Sequence, residues 1–249
     1  MRGSFAYLVK QDALRWKRSG TTKTWFWTYV ALIAIAVVGI ITVWSLKGRF
    51  DPLVLLFCTF GFPYMTFMFA YTMLHREWKN GTYGWWLTLP YPRLWLVAAK
   101  YLSALLQVLL FYAVCYVVTL LLTLYGKGLD GSLQPDRFFG FAKMTSLWYG
   151  LLIAYAPFML AFGLLSGTVA QSRWKPLMPI MWLGFAVSGN MVLWLSKFWD
   201  DRVWNRSDWG AFVTYKWPVW LSVALPSTLL VAILFVLMSA KIVERHLTT

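Results

Sequence analysis

Long apolar runs separated by short polar stretches dominate the chain. Residues 4–19 carry too many charges to span a bilayer, yet at helical spacing Phe5, Leu8, Val9, Ala13 and Trp16 share one face. Lys10, Lys17 and Arg18 lie away from that face, whereas Asp12 falls on it and spoils the pattern. The pattern predicts an amphipathic helix lying in the membrane interface, within a cytoplasmic arm over 1–24; a disordered basic tail is the alternative. Apolar runs follow over about 25–46, 53–74, 96–125, 143–170, 177–196 and 217–240. As a helix the first rises about 33 Å, enough to cross a hydrocarbon core of about 30 Å. The expected fold class is therefore an all-α polytopic membrane protein, a single domain over 1–249 with six transmembrane helices. A polar loop over 76–95, another over 197–216 and a tail over 241–249 complete it.

Composition sharpens this. Charged residues make up 13% of the chain, against about 25% in a soluble domain. The net charge of +14 would suggest nucleic acid in a soluble protein, but no nucleic-acid module is recognisable and no such partner is expected. In a membrane protein the excess reads as cytoplasmic loops held against anionic lipids. Six spans put both termini on one side, which carries 14 Lys and Arg against 9 on the other. The basic arm before the first span sets orientation, so both termini are expected in the cytoplasm of a cell with this chain in its plasma membrane. Trp25, Trp27, Trp44, Trp95, Trp194, Trp217 and Trp220 fall near predicted helix ends, as an aromatic belt does.

Chemistry is sparse. No ionisable residue lies deep in a predicted span, where coupled transporters keep such groups. His75 and His246 sit at predicted helix ends, and His75 is expected to cap a helix C-terminus. Cys58 and Cys115 lie in apolar runs without partners at metal spacing, and no GxxxxGK[ST] phosphate loop occurs. No catalytic residue and no cofactor of its own is expected. Energy for any uphill movement has to come from another protein.

Two helices carry features beyond length. Pro157 removes a backbone hydrogen bond to Ile153 and predicts a kink. Gly163 and Gly167 form a GxxxG pair, and Gly184, Ser188, Gly189 and Asn190 a small polar patch. These residues fit a translocation path, a dimer contact, or packing within the chain.

The polar stretch 75–100, HREWKNGTYGWWLTLPYPRLWLVAAK, is the longest interruption on its side. Asn80-Gly81 predicts a turn, Thr82 a cap, and Tyr83 to Leu89 a short helix ended by Pro90. Thr82, Trp85, Trp86 and Leu89 share one face of it, and Arg93 and Lys100 follow as basic anchors. Such a helix fits a groove on a cytosolic protein; taken residue by residue, an interfacial loop anchored to lipid by its tryptophans is the favoured reading.

The order Glu77-x3-Gly81-Thr82, Leu87-Thr88-Leu89-Pro90, Arg93 and Lys100 resembles the first cytoplasmic loop of ABC-2-type transporter permeases. The six-span layout extends that resemblance along the chain. It implies an ABC-2 (ABCG-like) exporter fold with a short cytoplasmic coupling helix. It further implies a partner ABC ATPase subunit that holds ATP and Mg, a second permease copy or paralogue, and an amphipathic or hydrophobic substrate moved outward. On this resemblance Glu77, Gly81, Thr82, Trp85, Trp86, Leu89, Pro90 and Arg93 couple the chain to the ATPase. Trp85-Trp86 depart from the Glu-Leu-Leu-type residues often found there, and 197–216 resembles the external helices before the last span. A different class remains open: a non-transporting immunity or sensor protein that binds its target through aromatic external loops.

Overall fold

A computed structural model describes residues 24–197 and 219–245, together with Val9 alone. The predicted interfacial helix over 4–19, the external loop over 197–216 beyond Lys197 and the tail beyond Arg245 lie outside the described residues, as do the side chains of Trp85, Trp86 and Leu87. Among the described residues every regular element is helical: α1 (Thr24–Leu46), α2 (Leu53–Phe57), a 3-10 turn (Cys58–Gly61), α3 (Phe62–Lys79), α4 (Tyr83–Thr88), α5 (Arg93–Leu129), α6 (Pro135–Ala170), a 3-10 turn (Lys175–Leu177), α7 (Met178–Lys197) and α8 (Val219–Arg245). Five stretches, Trp27–Leu46, Leu53–Lys79, Arg93–Leu129, Pro135–Ala170 and Pro226–Arg245, are long and apolar enough to cross a membrane.

Helix ends depart from the hydropathy runs for local reasons. The second run changes hand-hold midway: Pro63 has no N–H to give Thr59, so the chain tightens into a 3-10 turn over Cys58–Gly61 before α3 begins. The polar stretch left between the apolar runs 96–125 and 143–170 shrinks to 130–134. Pro135 starts α6 because a proline at the first helical position loses no bond, and Asp136 favours the positive end of the helix. Gly131, at φ +65°, makes the turn between α5 and α6. α6 continues through Pro157 without interruption to Ala170.

α6 is the centre of the bundle. Its most apolar window is 78% buried, against 11% for α1 and 17% for α5. α3, α5, α7 and α8 pack around it, while α1 lies against α5 and turns most of its apolar surface outward. That outward surface suits lipid, which gives helices no hydrophobic reason to associate. Close packing and polar contacts hold them instead. Thr66 and Tyr112 join hydroxyls at 2.7 Å, Tyr116 and Ser146 at 2.8 Å, and Trp148 Nε1 donates to Thr59 Oγ1 at 2.6 Å. Each such contact contributes about 0.6 kcal/mol on average. Trp148 is thus a buried core residue, whereas Trp25 and Trp27 at the start of α1 are exposed as membrane anchors are.

Candidate functional site

The loop between α3 and α5 begins where α3 runs out at Lys79. Asn80 N–H closes the last turn on the carbonyl of Arg76 at 2.9 Å, and Gly81 takes φ +67°, a left-handed conformation that glycine adopts without strain. The turn folds Thr82 back onto α3, and its N–H donates to the Glu77 carbonyl at 2.9 Å. Trp78 and Tyr83 stack across it, ring centroids 5.7 Å apart and planes 5° from parallel. α4 then runs from Tyr83 to Thr88, and Leu89 leaves it in an extended conformation, as a residue before proline prefers. Pro92 flanks α5 in an extended conformation, and Arg93 is the first residue of the helix.

Behind the turn sits a buried charge pair. Lys100 Nζ donates to Glu77 Oε1 at 2.7 Å, with 1% of the lysine side chain and 12% of the glutamate exposed. The Thr82 hydroxyl donates to Glu77 Oε2. One carboxylate therefore ties the end of α3, the start of α4 and the second turn of α5 into a single unit. A charged hydrogen bond in such a dry setting holds geometry tightly.

The structure brings Glu77, Gly81 and Thr82 of the predicted coupling set together and adds Lys100. Two readings need correction. Thr82 does not cap α4 with its side chain; its hydroxyl is turned back to α3, where it donates to the Glu77 carboxylate. Lys100 is not a basic anchor at the surface but is buried inside α5. The signal for its role was a lone lysine within an apolar helix, which demands a partner. Leu89 packs half-buried on the core, and Pro90 is exposed. Arg93, half-buried, places a cation at the positive end of the α5 dipole, which costs rather than contributes free energy.

His75 lies within α3 rather than at its end. Its ring stacks on Tyr71 at 5.9 Å, and Nδ1 lies 3.1 Å from Gln171 Nε2, so it bridges to the end of α6 instead of capping α3.

The second predicted set lies between helices of this chain. A Cβ on Gly163 would stand 2.4 Å from the Phe67 carbonyl oxygen, and one on Gly167 3.3 Å from Leu74 Cβ. Both glycines let α6 approach α3. Tyr155 donates to the Ser188 carbonyl at 2.8 Å, and Asn190 Nδ2 returns to Ala186 O of its own helix at 2.9 Å. Pro157 O accepts from the Tyr101 hydroxyl at 3.2 Å, joining α6 to α5. Among the described residues no group of three His, Cys, Asp or Glu side chains is placed to hold a metal.

No curated protein and no solved structure matches the chain. The family model described as ABC-2 family transporter protein matches residues 3–198, which includes the latched loop and all of α1 to α7. The chain is a multi-pass membrane protein that belongs to the ABC-2 family of transporter proteins.

Proposed function

We propose that this chain is the permease subunit of an ATP-driven exporter, moved by a separate ABC ATPase through the loop over 76–95. The observation that carries this is the Glu77–Lys100–Thr82 latch. A solvated loop that only anchors to lipid has no need of a buried charge pair, which is costly to assemble. A loop that must transmit displacement without bending does need one. ATPase closure pushes on α4 and its Trp85 and Trp86; the latch passes the shift to α3 and α5 together, and a path opens outward between two permease copies. Glu77, Gly81, Thr82, Leu89, Pro90 and Arg93 shape and hold the contact, while ATP and Mg act in the partner. Aromatic, small and weakly polar side chains on the packed helices suit an amphipathic peptide, a lipid-linked molecule or a drug. Both termini face the cytoplasm in this reading.

The test is co-purification from native membranes followed by assay of ATP hydrolysis. The expected result is an ATPase retained by the intact chain and lost when residues 81–86 are replaced by a Gly/Ser linker. Replacing Trp85 and Trp86 with serine is expected to preserve insertion while uncoupling hydrolysis from transport in reconstituted vesicles. Full biological activity without any ATPase would instead favour the immunity or sensor class.

A further inference from the structure

At the end of the bundle away from the coupling loop, the last turns of α5, the 130–134 connection and the first turns of α6 enclose a cavity of about 60 Å³. Thr123, Lys127, Ser132, Arg137, Phe138 and Phe141 line it. That volume holds a few waters or one tetrahedral anion group. Its cations are loosely engaged. Lys127 Nζ lies 3.5 Å from Asp130 Oδ2, longer than the roughly 2.7–2.9 Å of a tight charged hydrogen bond. The same Oδ2 already accepts from Ser132 at 2.7 Å. Arg137 is exposed, and among the described residues no carboxylate lies within ion-pair distance of it. Two cations thus line one cavity, and the carboxylate paired with Lys127 already accepts a hydrogen bond from Ser132.

Position selects the ligand. Lys127 stands 27 residues beyond Lys100 on the same helix, a rise of about 40 Å, which matches a bilayer of about 40–45 Å measured across its headgroups. With the coupling latch at one headgroup layer, the cavity lies at the other. Its surroundings are apolar and open: Phe139 is 69% exposed and Leu133 43%. From the paired cations, the cavity and the exposed apolar rim, we infer that this cleft binds the phosphodiester group of a membrane phospholipid, acyl chains lying along α5 and α6. The inference is independent of the transport reading.

Purified protein in detergent, titrated with phosphatidylglycerol and followed by thermal unfolding, tests it. The lipid is expected to raise the unfolding temperature at micellar concentrations where diacylglycerol and inorganic phosphate do not. Lys127→Gln with Arg137→Gln is expected to weaken the apparent affinity by about an order of magnitude or more. Arg76→Gln with Lys79→Gln, exposed cations at the end of α3, should leave it unchanged. Arg137→Gln alone serves where the pair does not fold, with a smaller loss expected. Equal protection of the wild type and the 127/137 variant, or an equal loss in the 76/79 variant, overturns the site. Protection by inorganic phosphate alone overturns the lipid as its ligand.

Discussion

Lys100→Met is expected to destabilise the chain by about 3–5 kcal/mol, because it removes the counter-charge from a carboxylate held at 12% exposure. The measurement is thermal unfolding of the solubilised protein beside limited proteolysis of the 76–95 loop, where cleavage should appear first. Methionine fills much of the space of the lysine stem, so lost packing does not account for the change. Adding Glu77→Gln to Lys100→Met should recover most of the lost stability, since a buried neutral amide costs far less than an unpaired charge. Recovery of stability is not expected to restore transport. The neutral pair lacks the charged hydrogen bond that fixes α3 and α5 in one geometry, so on the proposed exporter function ATP hydrolysis by a partner should proceed with little movement of substrate. A Lys100→Met protein that melts with the wild type and keeps its loop intact would show that the pair is not a structural latch.

The parts of this site that depend on neighbours in sequence were legible; those that depend on neighbours in space were not. Asn80-Gly81 announced a turn, and Gly81 indeed adopts φ +67°; Pro90 announced the end of a short helix, which stops at Thr88. The first span, expected over 25–46, is the helix Thr24–Leu46. Thr82 departs from the cap expectation because cap preferences describe a hydroxyl oxygen that accepts from backbone N–H groups, whereas here the hydroxyl faces α3 and donates to a carboxylate five residues back. Nothing local pairs Lys100 with Glu77, 23 residues earlier; only the antiparallel return of α5 beside α3 brings them together. The start of α6 is a different failure. Gln134-Pro135-Asp136 carried the helix-start signal in plain view, but an average over apolar residues gives it no weight. The turn at Cys58–Gly61 was hidden in the same way, since the run is continuously apolar and only Pro63 marks the break.

Gly163→Ala is expected to cost clearly more stability than Gly167→Ala, its neighbour one turn on along α6. The reason lies in what each new Cβ meets. At 163 it would stand 2.4 Å from the carbonyl oxygen of Phe67, and 3.0 Å from Ala70 Cβ. A backbone carbonyl committed to its own helix cannot rotate away, so α3 and α6 have to separate along the contact that buries Phe67, Ala70 and Leu74. At 167 the nearest atoms are Cβ and Cδ2 of Leu74 at 3.3 Å and the Tyr71 carbonyl oxygen at 3.4 Å, so a displacement of a few tenths of an ångström relieves them. Overpacking of this kind costs about 1–3 kcal/mol, and the backbone contact belongs at the upper end. Ala70→Gly supplies the control: it removes the Cβ contact and leaves the carbonyl in place, so it should rescue Gly163→Ala little or not at all. Unfolding temperatures of the three single variants and the 70/163 pair, measured in one detergent, decide the matter. If Gly163→Ala melts no lower than Gly167→Ala, or if Ala70→Gly restores it fully, α3 and α6 are not pressed together at the Phe67 carbonyl. The two helices would then be free to part there, and under the proposed function force entering at α4 would have no rigid partner in α6 to act against.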